Sequence, residues 1–64
     1  MDKHVVKVGE NLYFRNWKDG IFPVFVINDI MGYWQEVKFF DKKEDAEEVA
    51  AIVGGKVLTN VNFI

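Results

Sequence analysis

Hydrophobic and polar positions alternate with a period of two over several short stretches of the chain. Val6 and Val8 point opposite to Val5 and Lys7. Leu12 and Phe14 point opposite to Tyr13, Arg15 and Trp17, and Val37 and Phe39 opposite to Glu36 and Lys38. Such segments predict half-buried strands, the more uniformly apolar set of each lying beneath whatever covers the sheet. Turn chemistry separates them. Gly9-Glu10-Asn11 closes a first hairpin, Asp19-Gly20 is a two-residue hairpin signal between Trp17 and Ile21, and Asn28 to Gly32 makes the next turn. Pro23 has no N–H to give to a ladder, so it marks the start or the outer edge of a strand through Val24 to Ile27. A closing strand from Lys56 to Phe63 turns Val57, Thr59, Val61 and Phe63 inward, against Leu58, Asn60 and Asn62, and is expected to pair with the first strand.

Between Asp41 and Gly55 the period changes to that of a helix. Ala46, Val49, Ala50 and Val53 form one apolar stripe, and Glu44, Glu47 and Glu48 turn toward water. Asp41 as N-cap with Glu44 three residues on reads as a capping box, and Gly54-Gly55 supplies a residue able to take the left-handed C-terminal cap. The predicted helix covers about 42–53, and its small alanines imply close approach to the sheet. The resulting order is β-β-β-β-α-β. This is an α+β fold, an antiparallel β-sheet of four to five strands with one α-helix packed on one face, in a single domain spanning 1–64.

A lone helix leaves the other sheet face for water, a second copy or a partner. Alternation sends Tyr13, Trp17, Trp34 and Phe25 to that face, interspersed with Lys7, Arg15 and Lys38. Trp, Tyr and Arg together are the residues from which binding hot spots are built. The competing arrangement packs these rings on one another across strands, or slips one strand by a residue and returns them to the core.

Composition narrows the classes. A chain of 64 residues, 50% hydrophobic and 16% aromatic, has too many core formers for disorder, yet is marginal as a monomer on size alone. Cysteine is absent, which removes disulfides and thiolate metal sites. No stretch approaches the roughly 20 apolar residues of a membrane span, and the N-terminus has no cleavage-site pattern, so the expectation is a soluble, unprocessed cytoplasmic protein. The net charge of −2 is uneven: Asp41 to Glu48 holds five acids and two lysines, which leaves the remainder faintly basic. Acids in the first turns of a helix are favoured by its dipole.

Nothing in the chain reads as catalytic or metal-binding. His4, the only histidine, is expected at the surface near the N-terminus, and there is no Ser or Cys for it to activate. Glu47 and Glu48 are solvated helix residues, and Asn28-Asp29 is a turn. No His, Cys or Asp cluster has ligand spacing. Gly54-Gly55 follows a helix and precedes a strand, the reverse of a phosphate-cradling loop. The expectation is a protein that is not an enzyme and holds no cofactor.

The run from Phe39 through Asp41-Lys42-Lys43-Glu44-Asp45-Ala46 to Ala50, then Gly54-Gly55-Lys56-Val57, resembles the C-terminal half of many short proteins encoded by phages and prophages of Gram-positive bacteria. The opening Val5 to Tyr13 resembles their first strand and tight turn. The resemblance implies an accessory phage protein acting in the host cytoplasm, and it brings no functional residues with it. Together with the uncovered face, it makes a non-catalytic module that binds a host or phage protein the first expectation, with Tyr13, Arg15, Trp17, Phe25, Trp34 and Lys38 as the contact residues. One alternative is single-stranded nucleic acid stacking on Tyr13-Phe14-Arg15-Asn16-Trp17-Lys18, against which stands a sheet excess of about one charge where tight binding neutralises roughly six to ten phosphates. The other is a symmetric homodimer through the same face.

Overall fold

The computed structural model describes residues 2–29 and 31–59. Among them the alternating segments become four antiparallel strands, β1 (His4–Val8), β2 (Leu12–Lys18), β3 (Phe22–Ile27) and β4 (Lys56–Thr59), in the sheet order β3-β2-β1-β4. One helix, α1 (Lys43–Val53), packs on β1 and β4, so the α+β class holds. The closing strand pairs with the first as expected, His4 opposite Thr59 and Val6 opposite Val57. The part of it expected over Asn60 to Phe63 lies outside the described residues, as does Ile30 within the Asn28–Gly32 turn.

The turn residues sit where their backbone chemistry requires. Asp19 and Gly20 both take positive φ, 55° and 74°, and the Ile21 N–H donates to the Lys18 carbonyl at 3.2 Å. Pro23 falls on β3, an edge strand, consistent with its missing donor. A register shift interrupts the β2–β3 ladder: Phe14 pairs with Phe25 but Asn16 with Val24, which leaves Arg15 as an extra residue in β2. This bulge reverses the alternation beyond it. Phe14 and Trp17, three residues apart, therefore share the helix side, their rings 5.3 Å apart and edge-on.

The predicted fourth strand, around Val37 and Phe39, contracts to a single bridge. A 3-10 turn at Tyr33–Gln35 occupies the preceding backbone, with Glu36 N–H donating to the Tyr33 carbonyl at 2.9 Å and Val37 N–H to that of Trp34 at 3.4 Å. Only then does the chain enter the sheet. The Lys38 N–H donates to the Phe14 carbonyl at 3.0 Å, and Phe40 exchanges both backbone bonds with His4 at 2.8 and 2.9 Å. β1 and β2 are paired at Lys7–Tyr13 and Val8–Leu12, next to their hairpin, and the Lys38–Phe40 segment bridges them farther along. Val37 consequently lies on the face away from the helix, Phe40 on the helix face, and Phe39 is exposed, unlike the inward Val37–Phe39 pair that alternation predicts.

The core under the helix is Val6, Phe14, Ala46, Val49 and Ala50, with Trp17, Phe25, Phe40, Val53 and Val57 packed around it. Phe14 is its hub, with ring centroids of Phe25 and Phe40 at 6.3 and 6.2 Å. The helix start differs from the predicted capping box. Lys42 is the N-cap and makes no side-chain capping bond, while the Asp41 carboxylate pairs with the Lys3 ammonium at the head of β1. The cation of a distant strand outcompetes the local backbone for that carboxylate. His4 also departs from expectation. It is buried within β1, and its Nδ1 lies 2.8 Å from Thr59 Oγ1, so the ring is drawn into the sheet by a polar partner on β4.

Gly54 and Gly55 do separate jobs. Gly54 takes the left-handed C-cap with φ 76°, and the N–H groups of both glycines donate to the Ala50 carbonyl at 2.9 Å. At Gly55 the constraint is space, because a Cβ there would stand 2.7 Å from the Lys7 carbonyl oxygen. Backbone cannot swing aside as a side chain can. Gly55→Ala is therefore expected to cost about 1–3 kcal/mol through overpacking of β4 on β1, and Gly54→Ala about 1 kcal/mol through its backbone conformation. Urea unfolding of both variants checks the ranking, and an unperturbed Gly55→Ala midpoint would refute the close approach.

Candidate functional site

The sheet face away from the helix is not open. Val5, Tyr13 and Val37 are buried there, with Tyr33 and Leu58 packed against them. The chain between β3 and α1 forms this second cover. Gly32 takes φ 78° before the 3-10 turn, which brings Tyr33 over Tyr13 with centroids 5.6 Å apart and ring planes tilted by 32°. From the side of β1, Lys7 Nζ lies 5.8 Å from the Tyr13 ring centre. Tyr13 thus lies on the predicted face, but is only 5% exposed.

The remaining predicted contact residues divide between the two sides. Trp17 and Phe25 belong to the helix side, half-buried against Phe14, which corrects their assignment to the uncovered face. For Trp17 the cause is the bulge at Arg15; for Phe25 it is pairing directly opposite Phe14. Lys38 also turns to the helix side, its Nζ 5.8 Å from the centre of the Phe40 ring. Arg15 and Trp34 stay with the second cover. The Arg15 Nη2 meets Glu36 Oε2 at 3.2 Å, tying the bulge to the segment above it, and Trp34 is 42% exposed. No single aromatic platform joins all six.

A different apolar surface takes its place. A groove of about 490 Å³ runs between Val26 and Ile27 on β3 and Met31, Tyr33 and Gln35 on the cover, with the Arg15–Glu36 pair in its lining. Met31 stands 98% exposed beside it, and Ile27 is exposed as well. Sequence reasoning missed Met31, Tyr33 and Glu36. One signal for them was present: Tyr33 and Trp34 are adjacent, and adjacent rings at a turn leave in different directions, one inward and one to the surface. Chemically the groove offers apolar contact and one internally neutralised ion pair. Among the described residues no three His, Cys, Asp or Glu side chains gather as metal ligands, and no helix is long and apolar enough to cross a membrane.

Two titrating groups report on the covers. The Asp41 carboxyl is held below its ordinary value, chiefly by the hydrogen bond and charge of Lys3, with Lys38 adding to it. The Tyr33 phenol is pushed above its ordinary value by burial first, then by the charge and hydrogen bond of Tyr13. A raised folded-state value means the stabilisation is complete below the unfolded phenol value of about 10 and is lost as pH rises through the folded one. Stability should therefore fall more steeply with pH above about 10 in the native protein than in Tyr33→Phe. Parallel curves from urea unfolding across that range would show that Tyr33 does not seal the second cover. Comparison of the chain with protein-family models, with curated proteins and with solved structures finds no match.

Proposed function

We propose that this chain is a small non-catalytic binding module, of the phage-accessory kind that its Val5–Tyr13 and Phe39–Val57 segments resemble, which engages a host or phage protein in the cytoplasm. The contact surface in this reading is the outer side of the second cover, which carries the exposed Trp34 and Met31 and whose groove is lined by Met31 and the Arg15–Glu36 pair. The observation that carries it is Trp34. Val37 is buried and Tyr33 partly buried against the sheet, while Trp34 beside them leaves 42% of its surface to solvent. A surface that offers a partly exposed tryptophan, a methionine and an arginine has the composition of a protein-contact hot spot. Stacking of a single-stranded nucleic acid has lost its platform, because Tyr13 is buried and Trp17 is under the helix side.

Trp34→Ala should weaken partner retention from host lysate by roughly thirtyfold or more, the loss typical of a hot-spot residue, while costing clearly less stability than the core change Trp17→Ala. Trp17→Ala should do the opposite, costing about 2–4 kcal/mol of stability by opening the core while its folded fraction keeps the partner. Pull-downs with nuclease-treated and untreated arms, paired with urea unfolding, read both quantities. Retention that survives Trp34→Ala, or that disappears with nuclease, would reject the proposed surface.

A further inference from the structure

β3 is one edge of the sheet, and among the described residues nothing pairs with its outer side. Alternation decides which backbone groups face out. The Asn28 N–H donates to the Asn11 carbonyl at 2.9 Å, in register with the β2–β3 ladder, so the even-numbered amides of β3 point at β2. Those of Phe25 and Ile27 point away, as does the donorless nitrogen of Pro23. Pro23 is tolerated for that reason. Edges are commonly protected by charge. The opposite edge begins at Lys56, whereas Phe22-Pro23-Val24-Phe25-Val26-Ile27 carries no charge, and its one protective proline stands near the start of the strand, away from the Phe25 and Ile27 amides.

The groove described above borders this edge. Phe25, Val26 and Ile27 all line it, and successive side chains leave a strand on opposite sides, so it follows the strand's rim rather than one face. Its charged lining residues, Arg15 and Glu36, neutralise each other at 3.2 Å. A charged occupant finds no counter-charge there; an uncharged extended apolar segment matches it. The chain itself presents such a segment, β3.

We infer that β3 of a second copy adds antiparallel to β3 of the first, about a two-fold axis through Val26. In this register Phe25 exchanges both backbone hydrogen bonds with Ile27 of the second copy, and Ile27 does so with Phe25. Pro23 falls at the end of the paired stretch, where its missing donor costs least. An axis through Phe25 is worse, since it sets the Pro23 ring against the Ile27 carbonyl. The Val26 side chains meet across the axis, beside Met31 and Tyr33 of each copy. Because the axis stands perpendicular to the sheet, both second covers, with their Trp34 side chains, lie on the same side of one continuous sheet. The dimer goes beyond the partner reading and does not depend on it. An interface of roughly 1,200 Å² in total, the low end of specific interfaces, would take about an eighth of the 4645 Å² surface of each copy.

The test uses the absence of native cysteine. Val26→Cys sits at a non-hydrogen-bonded pair on the axis, where Cα atoms approach to about 4.5 Å, close enough for a disulfide. Under mild oxidation it should form covalent dimer at least roughly tenfold faster than Ile52→Cys, an equally dilute thiol on the exposed helix face. Ile27→Pro deletes an outward N–H without touching the ladder to β2. It should keep the native circular dichroism and stay monomeric by light scattering at concentrations where the native chain doubles its mass. A native chain that remains monomeric at high concentration, equal cross-linking at positions 26 and 52, or an Ile27→Pro variant that still dimerises would overturn the inference. Trp34→Ala should dimerise normally even where it loses a protein partner, so failure of either proposal is seen separately from the other.

Discussion

One extra residue in β2 organises the molecule. With Arg15 bulged out of the ladder, Phe14 and Trp17 fall on the same side and bring the aromatic rings into the core that Ala46, Val49 and Ala50 of the helix close. The bulged Arg15 pairs with Glu36, and the neighbouring Phe14 carbonyl accepts from the Lys38 N–H. A regular ladder at this point would send Trp17 to the opposite face. The bulge is thus the point at which the helix-side core and the second cover are joined.

The second cover answers the problem posed by so small an α+β fold. A sheet with one helix has two faces to hide and too little chain for another helix, so the connection between β3 and α1 does the work with a single 3-10 turn. Tyr33 and Val37 supply the apolar area, and Lys38 and Phe40 anchor the far end by backbone bonds to β2 and β1. A surface ion pair such as Arg15–Glu36 adds about 0–1 kcal/mol, so the anchorage rests on the buried side chains and the backbone bonds rather than on that pair. The cover leaves Met31 and part of Trp34 to solvent, and that exposure is the basis for reading it as a contact surface.

Local signals in the sequence were sufficient for the helix and the hairpin turns. Ala46, Val49, Ala50 and Val53 announce α1 within two turns, Asp19-Gly20 announces its hairpin, and Pro23 marks an edge. What stayed hidden was decided by residues far apart in the chain. The side taken by Trp17 depends on a bulge that exists only once β2 and β3 have paired. The burial of His4 depends on Thr59, and the loss of Asp41 as a cap depends on Lys3. Val37 still alternates with Lys38 and Phe40, but Phe40, bonded to His4, takes the helix side, so the apolar Val37 is turned to the other face. The candidate surface was legible in its residue types, Trp34 and Arg15 among them, and not in its location, because sequence periodicity has no means of showing that a connecting segment folds back over the sheet.

The position of β1 in the sheet has a kinetic consequence. It stands between β2, its neighbour in the chain, and β4, whose Thr59 lies opposite His4. The hairpins can close over a few residues, but that last pairing brings together positions separated by nearly the whole described chain, and such distant closure carries the larger entropic cost. Hairpin closure thus carries the smaller entropic cost, and the hydrophobic side of β1 is completed only by the long-range docking of α1 and β4.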